Sequence, residues 1–500
     1  MMESQIPALI ALTFALFAII VPAFGLKNEN YAQPLAVIGA GVASLFSLVG
    51  LINFLNSGEA IRYSFGGWTV PVGVEFLYDG IAAFFVLVIN SVAFFVLIYS
   101  LHVSEKDLSG RKAAYYALTM LMMLGFNGIV LTGDLFTLFV FLEISSLASY
   151  GLLAIGDKPA PYSAYRYLII GTIGGSLYLL GIGFLYTVTG TLNIIDMSGM
   201  LPQLFENNAV FGAIILMVVG IAVKAALFPM HGWLPDAYTF STSSSTALIA
   251  PIGTKIGAYT LFRIVFWLFG LDIVNFFAPV TYTLGLLACI GILYGSIMAI
   301  AQTEFKKMLA YSSVSQIGYI IMGLSLANPW GFAGALLHVL NHSVMKAALF
   351  MVSGYLRMKE GHSDIRHFND TYRKKYPWMM AFFTLAAISM VGLPPLAGFF
   401  SKWYLALGSV NNSNWLFLTV ILTSTLLNAV YFFRILERVY MKNPDQAGDT
   451  NGEIAVQEYT LDPTPASVLI PTGILAIGLL VIGLTNAIIV GFILNIAPFG

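Results

Sequence analysis

Apolar windows of about twenty residues recur along the whole chain, roughly fourteen of them, the first centred near residue 15 and the last near residue 480. A helix needs about that length to cross ~30 Å of hydrocarbon, and inside a bilayer only helices or closed barrels satisfy their own backbone. The pattern predicts an all-α membrane protein of about fourteen transmembrane helices, a single membrane domain over 1–500. With 58% hydrophobic and 9% charged residues and a mean hydropathy of +0.85, the composition belongs to the same class. The run from Ile6 to Phe24 is long enough to span, and Glu3 precedes it with no basic residue, so it reads as a retained helix rather than a signal peptide. Asn56 to Tyr78, rich in Gly and containing Pro71, reads as a short strand or hairpin outside the membrane, and 441–467 as a polar, mobile cytoplasmic loop.

Basic residues sort by side. Of 23 Lys and Arg, seventeen fall in alternate connections: Lys27; Lys106, Arg111 and Lys112; Lys158 and Arg166; Lys306 and Lys307; Arg357, Lys359, Arg366, Arg373, Lys374 and Lys375; Arg434, Arg438 and Lys442. The opposite connections hold Arg62 and, at a helix end, Arg263. That asymmetry predicts cytoplasmic basic loops and both termini on the outer side.

The remaining basic residues, Lys224, Lys255, Lys346 and Lys402, lie within apolar spans. A cation at bilayer depth costs at least ~2.5 kcal/mol on insertion scales and persists where it has a partner, a wet cavity or a task. Among the acidic residues only Glu143 lies near the middle of a span, which makes it a proton-handling candidate or a structural acceptor tying helices together. Asp134, in Thr132-Gly-Asp-Leu, reads as a helix N-cap. The run Gly171, Gly174, Gly175 permits close helix packing and needs no other role.

Prolines mark two broken helices. Pro229 follows Lys224 by one turn and removes a bond to the carbonyl of Ala225; Pro394 and Pro395 do the same to Met390 and Val391, ahead of Lys402. The breaks fall in the fourth member of two five-helix halves, 113–264 and 276–439, of opposite orientation. Paired broken helices in inverted repeats point to an ion path, because freed carbonyls are tolerated where they line a cavity. Between the breaks, His338, His342 and Lys346 are spaced by four along one helical stripe, ~6 Å per step, and Tyr311, Ser312, Ser315, Gln316 and Tyr319 on the preceding span can order water. The two histidines also fit, as the lesser alternative, simple hydrogen-bond partners of adjacent helices.

Several function classes are excluded. The net charge of −1 offers no basic surface for nucleic acid. One cysteine, Cys289, supports neither a disulfide nor a cysteine-bound metal or cluster, and the chain has no Walker loop, dinucleotide fingerprint or nucleophile elbow. No cofactor and no metal are expected, nor a redox or hydrolytic centre in this chain.

The motifs Leu138-Phe-Val-Phe-Leu-Glu143, Phe228-Pro-Met-His-Gly-Trp-Leu-Pro-Asp236, Lys307-Met-Leu-Ala-Tyr-Ser-Ser-Val-Ser-Gln-Ile-Gly318, His338-Val-Leu-Asn-His-Ser-Val-Met-Lys346 and Gly392-Leu-Pro-Pro-Leu-Ala-Gly-Phe-Phe-Ser-Lys402 occur in order. Together they resemble the antiporter-like subunits shared by Mrp-type cation/proton antiporters, respiratory complex I and membrane-bound hydrogenases. The resemblance covers about Tyr78 to Val439. It implies a fourteen-helix fold with inverted repeats, Glu143 as charge partner of Lys224, Lys255, His338, His342 and Lys346 as a connecting line, and Lys402 as the distal proton site. Leu131-Thr-Gly-Asp-Leu-Phe136 and Thr189-Gly-Thr-Leu-Asn193 are most similar to the Mrp D-type subunit. The implied function is proton translocation within a multisubunit cation (Na+)/proton antiporter of a prokaryotic cell membrane, with other hydrophobic subunits as partners. The alternative is the same role in a complex I-like or hydrogenase redox complex.

Overall fold

The computed structural model describes residues 5–68, 70, 72–108, 110–441 and 461–499. Lys442, Pro71 and most of the loop expected to be mobile lie outside them. Helices dominate: α1 Ile6–Gly25, α2 Ala32–Ser57, α3 Gly80–Asp107, α4 Lys112–Leu131, α5 Leu135–Ala154, α6 Ala160–Thr189, α7 Ile194–Met200, α8 Asn208–Lys224, α9 Leu234–Phe240, α10 Ser243–Phe262, α11 Gly270–Val274, α12 Val280–Ala301, α13 Phe305–Ser325, α14 Pro329–Glu360, α15 Asp370–Lys375, α16 Pro377–Val391, α17 Ala397–Asn411, α18 Trp415–Tyr440, α19 Ala466–Leu484 and α20 Asn486–Asn495.

Among the described residues, 11 helices or joined helical segments are long and apolar enough to cross a membrane; α8, α16 and α20 are apolar but shorter. The spans around Pro229 and Pro394 are broken, as their prolines predict. The first helical part stops at Lys224 in one and at Val391 in the other, before the prolines, and a second helix resumes at Leu234 and at Ala397. A proline contributes no N–H and its ring crowds the preceding turn, so the ladder ends ahead of it.

The expected hairpin is present, with β1 Ile61–Ser64 antiparallel to β2 Glu75–Tyr78 and Ile61 opposite Tyr78. Glu75 pins it to the bundle: its buried carboxylate accepts from Asn193 Nδ2 at 2.9 Å, and its carbonyl accepts from the Gly133 amide. Asp134 caps α5 as the sequence suggests, accepting from the Thr137 amide at 2.6 Å. The hairpin marks one end of the bundle, while Arg111, Arg357 and the start of α10 mark the other, basic end. α14 is the most enclosed of the spanning helices, with 94% of its most apolar window buried, so its polar stripe faces protein rather than lipid.

Candidate functional site

Lys224 ends α8, where the Pro229 break leaves space beside α5. Its ammonium donates to Ser146 Oγ at 2.8 Å and Tyr150 OH at 3.3 Å, and lies 3.7 Å from Glu143 Oε1. Glu143, Ser146 and Tyr150 share one face of α5 by their i, i+3, i+7 spacing. At 3.7 Å the lysine and glutamate form an ion pair without a direct hydrogen bond. Lys224 is buried, with 7% of its side chain exposed, against 27% for Glu143. A cavity of about 30 Å³, lined by Ser145, Ser149, Lys224 and Thr260 among others, adjoins the ammonium and is large enough for a water molecule.

The glycine run of α6 has a more specific role than close packing. A Cβ on Gly171 would stand 2.1 Å from Tyr150 OH, and one on Gly175 would stand 2.4 Å from Glu143 Oε1. These glycines make the room in which the two α5 side chains face Lys224. On the other side, Trp233 Nε1 donates to the Val223 carbonyl at 3.1 Å, and its ring stacks on Tyr167 with centroids 3.7 Å apart. Trp233 thereby closes the frayed end of α8, a contribution the sequence reading did not include.

Lys255 is fully buried in α10, and its ammonium donates to the Ala250 carbonyl at 2.8 Å. No hydrogen bond among the described residues joins it to Lys224 or to His342, but it lies within electrostatic reach of His342 and Lys346. Lys346 donates to the Leu309 carbonyl at 2.6 Å and to Ser312 Oγ at 2.5 Å. His338 and His342 stack with centroids 5.9 Å apart, and both are fully buried. Both ring nitrogens of His342, Nε2 of His338 and the side-chain amide of Gln316 have no protein hydrogen-bond partner among the described residues. In folded proteins most buried polar atoms without a protein partner are met by ordered water. Ser315 Oγ is 3.0 Å from Ser296 Oγ, which is 3.1 Å from Ser424 Oγ.

The second break repeats the logic of the first with backbone in place of a carboxylate. Lys402 donates to the carbonyls of Met390 at 3.0 Å and Val391 at 2.9 Å, the two released by Pro394 and Pro395. Its neighbour Ser401 is 2.9 Å from His338 Nδ1, and Tyr319 packs against both the His338 ring and the Lys402 ammonium. Among the described residues no carboxylate pairs with Lys255, Lys346 or Lys402; of the four span lysines, Lys224 alone has one there.

Two basic residues that charge sorting assigns to connections are buried. Lys306, in the first turn of α13, donates to the Ser241 carbonyl on the wall of a polar cavity of about 420 Å³ at the basic end, lined by Arg111, Asp157, Thr242 and Arg357. Arg263 forms a bidentate pair with Asp79, both bonds at 2.6 Å. The available signal was spacing, since Arg263 falls on the Lys255 stripe eight residues on.

The family model described as NADH:quinone oxidoreductase/Mrp antiporter, TM, matches residues 132–428, more than half of the chain and the stretch that holds every one of these lysines. The chain belongs to this NADH:quinone oxidoreductase/Mrp antiporter family. Within the family it is 42% identical over 470 residues to NADH-quinone oxidoreductase subunit N of Desulforudis audaxviator, covering 93% of this chain and 92% of that protein. It is 31% identical over 402 residues to the D-type subunit of the Na(+)/H(+) antiporter of Alkalihalophilus pseudofirmus, covering 80% and 79%. A chain of the membrane-bound sulfane sulfur reductase, an archaeal respiratory membrane complex, superposes with a TM-score of 0.89 at 27% identity, over 98% of this chain and 96% of that one. The chain is therefore a multi-pass, all-α membrane protein of the antiporter-like family.

Proposed function

We propose that this chain is a proton-translocating subunit of a multisubunit complex in a prokaryotic cell membrane, with Glu143, Lys224, Lys255, His342, His338, Lys346 and Lys402 carrying protons laterally between the two helix breaks. The observation that carries this reading is the Glu143–Lys224 ion pair, set at a broken helix end with a water-sized cavity beside it. A nearby carboxylate favours the charged ammonium; when the two separate in surroundings of low dielectric, the neutral amine is favoured and a proton leaves toward Lys255. A potential of 100 mV supplies ~2.3 kcal/mol per charge, against ~1.4 kcal/mol per tenfold change in proton affinity, so small displacements suffice. The polar cavity beside Lys306 supplies access from the basic end, which we place in the cytoplasm with both termini outside. The halves 113–264 and 276–439 act as inverted repeats, each presenting one break.

As lead reading the exchanged ion is Na+, in an Mrp-type antiporter with other hydrophobic subunits as partners. The 42% identical relative named NADH-quinone oxidoreductase subunit N favours, comparably, the same proton role in a redox-driven complex. Copurification separates the two, since partners with iron–sulfur or nickel-site sequences belong to the second. In everted vesicles, Glu143→Ala and Lys224→Ala should each abolish ion-coupled proton transport while the complex still assembles. Transport retained in either assembled variant overturns the proposal.

A further inference from the structure

The stripe of α10 that carries Lys255 continues one turn to Tyr259 and, one residue past the end of α10, to Arg263, ~6 and ~12 Å nearer the hairpin end. Tyr259 and Arg263 are both held by hydrogen bonds. Tyr259 OH donates to the Val130 carbonyl at 2.6 Å and accepts from Arg263 Nε at 2.7 Å. The two Nη groups of Arg263 hold both oxygens of Asp79, whose Oδ1 also accepts from the Ala82 amide at 3.0 Å. Phe85 stands edge-on to the Tyr259 ring at 4.9 Å, and the guanidinium lies 5.1 Å from the Trp267 ring centroid. Asp79 directly follows β2, so the pair sits where the limb meets the hairpin.

From this geometry we infer that Arg263, held by Asp79 and Tyr259, is the seal at the hairpin end of the Lys255 limb: a fixed cation that keeps protons from leaking between Lys255 and the aqueous phase on that side. A guanidinium cannot be deprotonated in a protein, so it passes no proton itself, and its fixed charge repels one that approaches. The committed Tyr259 hydroxyl removes the one other relay group on the stripe. The inference rests on the proposed role of Lys255. Arg263 and Asp79 are positioning residues, since neither exchanges a proton in the transport cycle.

The field of a unit charge ~12 Å away at an effective dielectric of ~20 changes proton occupancy about tenfold. The test is passive proton flux into proteoliposomes of the whole complex under an imposed potassium diffusion potential, without a Na+ gradient or electron donor. Replacing both partners of a buried pair together is the substitution a fold best tolerates. Arg263→Gln, which removes the single positive charge, should raise the flux about tenfold, and adding Lys255→Met should return it to the wild-type level. Should that variant fail to assemble, Asp79→Leu/Arg263→Leu, which removes the pair without changing the net charge, should raise the flux by less than Arg263→Gln would, and Arg263→Lys should keep the seal. Unchanged flux, an increase that survives Lys255→Met, or no rescue by lysine overturns the inference. Lys255→Met alone tests the relay reading separately: coupled transport that persists in it defeats that reading whatever the leak shows.

Discussion

Gly175 faces Glu143 so closely that a single methyl group on it would stand 2.4 Å from the carboxylate oxygen. The atom in the way is the far end of a flexible side chain, so Gly175→Ala moves the carboxylate rather than the helices. Stability should change by no more than about 1 kcal/mol, at the low end for a small overpacking. Transport should fall about tenfold or more, because the ion pair depends on where the carboxylate stands. Normal assembly with depressed proton flux in vesicles is the expected pairing; wild-type flux would show that Glu143 need not be held where it is.

Trp233 closes the end of α8 by donating to Val223. Trp233→Phe keeps a ring to stack on Tyr167 and removes the donor. The Val223 carbonyl retains the Ala226 amide at 3.1 Å, so the loss should lie near the lower bound for a buried polar group, about 1 kcal/mol. Hydrogen exchange around residues 223–227 should speed up about fivefold, a change confined to the break.

The parts of the site that were legible in sequence are those where one residue contradicts its surroundings. Lys224, Lys255, Lys346, Lys402 and Glu143 stand out in apolar windows, and Pro394 and Pro395 name the two carbonyls that Lys402 binds, because the i to i−4 ladder is local. What was not legible depends on helices meeting. The role of Gly175 exists only once α6 lies against α5, and Arg263 meets Asp79 across 184 residues of chain. Lys306 sorted with the loops by charge, yet it is buried because the Ser241 carbonyl, from a different connection, is there to receive it. Ser315, on the same face of α13 as Ser312, turns to Ser296 on α12, a contact that exists only once those two helices pack.

At the basic end, Asp462 ties the segment before α19 to α14, accepting from Lys359 at 2.9 Å and from Tyr355 OH at 2.8 Å. Partial burial alone would push its carboxyl up; the hydrogen bonds from Lys359 and Tyr355, with the Lys359 charge, outweigh this and hold it below the usual aspartate value. A carboxyl depressed in the folded state contributes stability that is present above its unfolded value of ~4 and is lost as pH falls through the folded one. Exchange in residues 461–465, corrected for its intrinsic pH dependence, should be flat from pH 7 to about 5 and rise below about 4. Asp462→Asn should abolish that acid-side rise; an unaltered rise in the variant would assign it to another group.

Lys346 separates a working charge from a structural one. It is fully buried, donates to one carbonyl and one hydroxyl, and has no carboxylate partner among the described residues. Holding an ammonium there is costly, and replacing a buried charge by an apolar side chain of similar volume is often neutral or stabilising. Lys346→Met keeps the stem and discards the charge. If the lysine were retained for the fold, the variant would lose stability, since the Leu309 carbonyl and Ser312 hydroxyl would each lose a donor. The Ser312 hydroxyl also donates to that same Leu309 carbonyl at 2.9 Å, and Ser313 to it at 3.1 Å, so neither oxygen is abandoned. Lys346→Met should therefore melt at or above the wild-type temperature in detergent while coupled proton transport falls at least about tenfold. A drop in melting temperature with transport preserved would reverse the assignment and make Lys346 a packing element of α13 and α14.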